Sequence, residues 1–371
     1  MTNPKLTTPS GKTRAAGLGL KFPGTTGEWN SITDVEGIRV GYVSIKEGSG
    51  KLTVGQGPIR TGVTAILPRP INATFDPVFA GIHSLNGNGE LTGSHYIEEV
   101  GKFGLPITIT NTHSCGITRD ATIEWATKTW PEKFNDSFGL PVAAETYDGF
   151  LNDINGFHVR KEHVFEAIEG ATTGPIEEGS VGGGTGMKCF GFKAGSGTAS
   201  RLVEFDGKTY TIGSFVQANF GAREELTILG DNIGAGLIEP QMIQNSTNPE
   251  LSSIIGVIAT DAPLLPHQLK RLARRIGIGM SKTGGIARHG SGDIFLAFST
   301  ANHPAAKTDN CSVQSLDMIP DEQMDPFFTA VVQSTEEAII NSMITNEDTT
   351  GRDDNFVPAL PHDIIRKHLQ Q

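Results

Sequence analysis

Two adjacent serines stand directly before an apolar run, and a hydroxyl so placed is the first candidate for chemistry. Ser252 and Ser253 precede Ile254–Thr260, which has the length and β-branched content of a core strand. A polar, turn-prone stretch over residues 244–250 comes before them. If the peptide bond before Ser253 were cut, that serine would carry its own α-amine as a base beside its hydroxyl. An ordinary strand capped by two serines is the alternative.

Other polar side chains fall at predicted strand ends. Ser291 and Asp293 lie two residues apart in a Gly-rich turn that leads into an apolar strand over residues 294–298. Asn219 ends a predicted strand over residues 209–219, where a side-chain amide can donate to a developing oxyanion. These positions predict a polar site at the edge of a sheet.

Glu145 and Tyr147 end another short predicted strand. If the strand continues through both residues, their side chains point to the same face, and the carboxylate and the phenol lie side by side. Together they could hold an ammonium group and donate to an oxyanion. A solvated pair on an edge strand is the alternative.

Three further patterns are weaker indications of a catalytic or binding site. His113 and Cys115 suggest a Cys/His dyad, but no orienting partner follows from the sequence, so a structural histidine is favoured. Gly-rich segments over residues 181–188 and 193–201 lack the Gly-Lys-Ser/Thr of a phosphate loop and are interpreted as turns. The three cysteines lie far apart with no metal-ligand spacing. Neither a cofactor nor a metal is predicted.

The elements that must position these residues alternate between strands and helices. Strands are predicted over residues 38–43, 62–67 and 105–111. Helical spacing appears near Tyr96–Val100, over residues 266–280 and after Asp325. Residues 1–30 are polar and rich in Gly and Pro, which predicts an N-terminal arm, and residues 31–371 are predicted to form one α/β domain.

Composition narrows the function classes. The formal net charge is −11, with acidic residues spread along the chain, which disfavours nucleic acid or an anionic membrane as a partner. The N-terminus lacks an apolar stretch of signal-peptide length, and no segment is long and apolar enough to span a membrane. We therefore expect a cytoplasmic protein.

The motifs taken together resemble a known family, the self-processing aminopeptidases of the DmpA and BapA type. The resemblance runs from about Ile32 to Met343. It is carried by the segments Asn86–Glu90, Thr110–Ser114, Ala144–Gly149, Gly182–Met187, Val216–Asn219 and Ala259–Leu269.

The resemblance implies a four-layer αββα sandwich, with two packed sheets flanked by helices, similar to that of N-terminal-nucleophile hydrolases. It also implies self-cleavage between Ser252 and Ser253 into an α chain of residues 1–252 and a β chain of residues 253–371. Only Ser253 immediately precedes the Ile-Ile pair, which favours it over Ser252 as the nucleophile. Four αβ units are expected to assemble.

The resemblance also implies a role for each candidate. Ser253 would attack the scissile carbonyl, while its α-amine or the hydroxyl of Ser291 relays the proton. Asp293 would orient Ser291, although the family pattern has a longer Glu there. Tyr147 and Asn219 would stabilise the tetrahedral oxyanion. Glu145 would bind the free ammonium of the substrate.

The expected function is hydrolysis of short peptides, amides or esters that have a free amino end, through an acyl-enzyme. Two alternatives stay open: an acyltransferase like the ornithine acetyltransferases, which usually use threonine, and a non-catalytic protein that binds peptides or amino acids. The sequence does not separate α- from β-amino substrates or L from D stereochemistry, because a methylene in a pocket changes binding by only ~1–3 kcal/mol.

Overall fold

The computed structural model describes residues 3–245, 251–307 and 312–368. The strands of the two main sheets are β1 (Arg39–Glu47), β2 (Ile59–Leu67), β3 (Val78–Gly87), β4 (Lys102–Phe103), β5 (Ile107–Asn111), β6 (Ala143–Thr146), β9 (Ser196–Phe205), β10 (Lys208–Asn219), β13 (Ser252–Thr260) and β14 (Ser291–Ser299). Short two-residue strands form three small hairpins: β7 (Lys188–Cys189), β8 (Phe192–Lys193), β11 (Thr227–Ile228), β12 (Asp231–Asn232), β15 (Thr349–Thr350) and β16 (Phe356–Val357).

The helices are α1 (Ser94–Val100), α2 (Cys115–Thr129), α3 (Lys161–Glu169), α4 (Pro266–Lys282), α5 (His303–Ala306), α6 (Asp325–Ile344) and α7 (His362–His368). The predictions of a helix at Tyr96–Val100, of an amphipathic helix over residues 266–280 and of a helix opening at Asp325 are confirmed. Pro266 begins α4, where its missing N–H costs no helical hydrogen bond. Among the described residues, the structure has no helix both long and apolar enough to cross a bilayer.

Two sheets form the centre of the molecule. One has four strands in the order β1-β2-β5-β6, and the other has six in the order β4-β3-β14-β13-β10-β9. Helices α2 and α3 pack on the outer face of the smaller sheet, and α4 and α6 pack on the outer face of the larger one. The predicted αββα sandwich is confirmed.

Buried side chains of the six-stranded sheet point alternately into two hydrophobic cores, one between the sheets and one under the helices. Alternate residues of β13 point to opposite sides. Ile255 and Val257 face the central core between the sheets, whereas Ile254 and Ile258 face the outer core under α4 and α6. Because the sheet is covered on both faces, β13 reads as a continuous apolar run rather than an alternating one.

Glycine allows helix and sheet backbones to approach closely. A Cβ on Gly197 of β9 would lie 2.0 Å from the carbonyl oxygen of Ala338 in α6, which is far inside contact distance. The high glycine content therefore serves close packing between layers, as the composition suggested.

The N-terminal segment packs on its own chain. Ala15, Leu18 and Leu20 are buried in the outer core beside α6. The guanidinium of Arg14 is also buried, and its Nε donates to the Glu178 carboxylate at 2.6 Å. Most of the predicted turn over residues 244–250, and Cys311, lie outside the described residues.

Candidate active site

Ser253 lies near the start of β13, in the middle of the six-stranded sheet. In the strand register, it is opposite Asn219 of the antiparallel β10 and Gly292 of the parallel β14. The side chain is buried, and its Oγ donates a 2.5 Å hydrogen bond to the carbonyl oxygen of Ser252. The hydroxyl is thus directed at the peptide bond that precedes it.

Ser291 and Asp293 are joined by a hydrogen bond on the neighbouring strand. Ser291 is opposite Ser252 in register, and its Oγ donates to Asp293 Oδ1 at 2.6 Å. The aspartate, though shorter than a glutamate, therefore reaches the serine. Burial raises the pKa of Asp293 to about 6, against the opposing effect of the Ser291 hydrogen bond. Its other oxygen, Oδ2, is buried without a hydrogen-bond partner.

A glycine separates this serine and aspartate for a steric reason. A Cβ on Gly292 would lie 2.4 Å from the carbonyl oxygen of Asn88, in the turn that follows β3. Only glycine lets β14 pass this close to the turn, so the spacing of Ser291 and Asp293 depends on it.

The carboxamide of Asn219 is oriented by two backbone groups. Its Oδ1 accepts from the Lys188 N–H at 3.1 Å, which fixes the amide orientation, and its Nδ2 donates to the Tyr147 carbonyl at 2.9 Å. The amide nitrogen has a second proton. Asn219 is therefore held at the strand end with one N–H available to an additional acceptor.

Tyr147 lies just beyond β6 and is half-buried. Burial raises the pKa of its phenol and the Asp148 carboxylate reinforces the shift, while Arg352 opposes it. The phenol is therefore a neutral hydrogen-bond donor at neutral pH. Asp148 itself is fully buried, and burial raises its pKa to about 7.

Glu145 is a buried carboxylate on β6. Its Oε1 accepts from the Glu90 N–H at 2.9 Å, and its Oε2 accepts from the Thr112 hydroxyl. Burial raises the pKa of Glu145, and these two hydrogen bonds act against that rise. The side chain is thus held rigidly by groups from two other loops.

Glu145, Tyr147 and Ser253 border one cleft of about 610 Å³, here called the acidic cleft, whose described lining does not include Asn219, Ser291 or Asp293. Glu145 and Tyr147 line the same cavity, although β6 ends at Thr146, before Tyr147. The described residues around the cleft include two acids and no base, and its polar side chains include Glu90, Thr112, Glu145, Tyr147, Ser252 and Ser253. Nothing in the sequence placed Glu90 and Thr112 around Glu145, although both lie in the segments that carry the family resemblance.

The Cys/His alternative does not match the geometry. Cys115 lines the acidic cleft, but burial and the nearby Glu145 and Glu90 raise the pKa of its thiol to about 12. Its Sγ faces the Ala143 carbonyl, and His113 stacks on Phe157 with ring centroids 5.9 Å apart. The thiol therefore stays protonated and is a poor nucleophile. Among the described residues, no group of three or more His, Cys, Asp or Glu is placed to hold a metal ion.

A two-sheet sandwich with helices outside, and a buried serine near the start of a central strand, fits the fold class of N-terminal-nucleophile-type hydrolases. The comparison with known families agrees with this class. Residues 30–357 match the model of peptidase family S58. The chain belongs to this family and is a serine-type aminopeptidase.

Relatives and solved structures agree along almost the whole chain. A β-peptidyl aminopeptidase, BapA, of Sphingosinicella microcystinivorans is 49% identical over 370 residues, covering 96% of this chain and 92% of that protein. The structure of an L-aminopeptidase D-Ala-esterase/amidase from Ochrobactrum anthropi matches with a TM-score of 0.88 and 46% identity over 96% of this chain and 98% of that one. A β-aminopeptidase structure from Burkholderia sp. matches with a TM-score of 0.87 and 42% identity, over 96% of this chain and 98% of that one. These matches support a hydrolase over the two alternatives.

Proposed function

We propose that the chain cuts itself between Ser252 and Ser253, and that the new N-terminal serine then removes N-terminal residues from short peptides, amides and esters. The observation that carries this proposal is the position of Ser253. It lies at the start of β13, between Asn219 and Gly292, with its Oγ 2.5 Å from the carbonyl oxygen of Ser252.

That contact supports a direct route for the cut. Ser253 Oγ attacks the Ser252 carbonyl carbon, so a C–O bond forms, the C–N bond breaks, and the departing nitrogen takes the hydroxyl proton. Water then hydrolyses the resulting ester. The products are residues 1–252 with a free carboxylate and residues 253–371 with a free serine amine.

Turnover uses the same oxygen a second time. Ser253 Oγ attacks the substrate carbonyl while its α-amine, or Ser291 held by Asp293, takes the proton and later gives it to the leaving amine. The Tyr147 phenol and the Asn219 amide stabilise the tetrahedral oxyanion. Water releases the acyl group from Ser253.

Glu145 explains the requirement for a free amino end. A buried carboxylate beside the nucleophile, in a cleft whose described lining holds no base, favours an ammonium group. Because the Glu90 N–H and Thr112 hold this carboxylate in place, an ammonium bound to it would set the distance from amino end to scissile carbonyl.

Substrate choice is proposed from the relatives. The β-peptidyl aminopeptidases make peptides with an N-terminal β-amino acid the first candidates, and the Ochrobactrum enzyme adds peptides with an N-terminal L-amino acid and D-alanyl esters and amides. We further propose four αβ units and a cytoplasmic location.

Intact mass and N-terminal sequencing of the purified protein test the proposal. We expect two chains, one beginning at Ser253, and turnover of an aminoacyl p-nitroanilide. Ser253→Ala should stay as one chain and be inactive. A Ser253→Ala protein that still cut itself and turned over this substrate would refute the assignment.

A further inference from the structure

We propose that a second cavity beside the cut is the leaving-group subsite, and that it binds the C-terminal carboxylate of a short peptide. The proposal rests on the function proposed above and names its substrate class, zwitterionic peptides of about dipeptide size. This basic cavity has a volume of about 230 Å³, and its lining includes Lys188, Asn219, Leu251, Ser252, Arg288 and His289.

The basic cavity adjoins the acidic cleft. Leu251 and Ser252 line both, so the two cavities meet at the segment that ends at the cut. Asn219, an oxyanion donor in the proposed mechanism, also lines the basic cavity. In this placement, a substrate whose ammonium lies at Glu145 and whose carbonyl lies at Ser253 extends its leaving group into the adjoining basic cavity.

The two sides carry opposite charge. In the uncut chain, the described lining of the basic cavity includes Lys188 and Arg288 and no acid, whereas that of the acidic cleft includes Glu90 and Glu145 and no base. A zwitterionic peptide laid across Ser253 would meet a complementary charge at each end, and such complementarity sets orientation and specificity.

Contacts around the basic cavity position its charged groups. The guanidinium of Arg288 is paired with Glu225 at 2.7 Å and lies 3.7 Å from Glu224, and these two acids hold it at the cavity wall. The Lys188 ammonium lies 5.6 Å from the centroid of the Phe150 ring. The Lys188 backbone N–H holds Asn219, so the subsite and the oxyanion donor are parts of one structure.

The cavity volumes fit a short leaving group. The basic cavity is smaller than the ~300–1,000 Å³ of pockets that enclose drug-sized ligands, and the acidic cleft lies within that range. The subsite therefore accepts about one residue with its carboxylate. Leu251 and Ser252 form the wall that the two cavities share in the uncut chain.

Three substrates with one N-terminal residue test the inference: a dipeptide with a free carboxylate, its C-terminal amide, and the p-nitroanilide. Each is prepared with alanine and with β-alanine at the amino end. In the self-processed wild-type enzyme we expect kcat/KM for the free acid to exceed that for the amide by about tenfold or more, as for a hydrogen bond to a charged group. This ratio should fall as salt is raised to about 1 M.

Lys188→Met should reduce the acid-to-amide ratio toward one. The matched control is Lys208→Met, an exposed lysine at the opposite end of β10 from Asn219, which should keep the wild-type ratio. An equal loss on all three substrates in Lys188→Met would mean that the side chain supports the fold or holds the carboxylate of Ser252, and would overturn the inference.

Wild-type kinetics separate this inference from the proposed function. If all substrates are turned over with an acid-to-amide ratio near one, the subsite is wrong and the aminopeptidase proposal stands. If none is turned over with either N-terminal residue, the proposed function itself fails.

Discussion

The amide nitrogen of Asn219 donates a 2.9 Å hydrogen bond to the backbone carbonyl of Tyr147. Asn219 ends β10 in the six-stranded sheet, and Tyr147 follows β6 in the four-stranded sheet. The contact therefore joins the two sheets at the point where both proposed oxyanion donors lie. The distance between the two donors is therefore set by the packing of the two sheets. Each donor can be removed by substitution while the other is kept.

Tyr147→Phe keeps the ring and removes the phenol donor. We expect kcat to fall by about 10²- to 10³-fold, the usual effect of losing one oxyanion donor, with a small change in KM. Steady-state kinetics on an aminoacyl p-nitroanilide measure this. Wild-type kcat in the variant would exclude Tyr147 from oxyanion stabilisation.

Asn219→Ala removes both an oxyanion donor and the contact between the sheets. We expect a loss of kcat at least as large as in Tyr147→Phe, together with a lower melting temperature, because the Tyr147 carbonyl loses its partner. Asn135→Ala, at an exposed loop position, is the control for a generic Asn substitution. A lower melting temperature with unchanged kcat would assign Asn219 a structural role only.

Ser252→Ala tests which serine is used. The Ser253 hydroxyl, the register with Asn219 and the Ser291–Asp293 pair all remain in this variant. We therefore expect it to process itself into two chains, with a new N-terminus at residue 253. An uncut Ser252→Ala chain in a folded protein would show that the Ser252 hydroxyl takes part in the cut.

Asp293 predicts a pH dependence of the rate. Burial raises its pKa to about 6, and the ionised carboxylate is the form that accepts the Ser291 proton. The kcat of the processed enzyme should therefore fall as pH drops below about 6. Asp293→Asn should flatten this limb and lower kcat, and Asp293→Glu should restore both. An unchanged pH profile in Asp293→Asn would remove Asp293 from the reaction.

The same shift predicts a pH dependence of stability. The folded pKa of Asp293 lies above the ~3.9 of an unfolded aspartate, so the folded state binds more protons between about pH 4 and 6. The contribution of this group to stability is present below about pH 4 and is lost as pH rises through about 6. Thermal unfolding should show a smaller loss over this window in Asp293→Asn than in the wild type.

Glu145→Gln tests ammonium binding against the second acid of the cleft. The amide keeps the shape and can still accept from the Glu90 N–H, but it carries no charge. We expect KM for free-amine substrates to rise by about tenfold or more, whereas Glu90→Gln, at an exposed residue, should change KM little. The reverse order of effects would assign the ammonium to Glu90.

The sequence predicted candidate site residues where reactive side chains lie at the ends of predicted strands. Ser253, Ser291 and Asn219 all lie at the ends of apolar runs, and Glu145 and Tyr147, two residues apart at the end of β6, line the same cleft. What it could not provide was the strand order: β13 lies between β14, which follows it in the chain, and β10, which precedes it. That pairing is long-range and follows from packing, as do the contacts of Glu90 and Thr112 with Glu145 and the position of Lys188 behind Asn219.

Because Ser253 Oγ faces the carbonyl of Ser252 in its own chain, activation on the proposed path is unimolecular. The time from folding to a working enzyme would then be independent of protein concentration and would need no second protease. Each molecule would be its own first substrate. The active fraction would then depend on the time since folding and not on the number of copies in the cell.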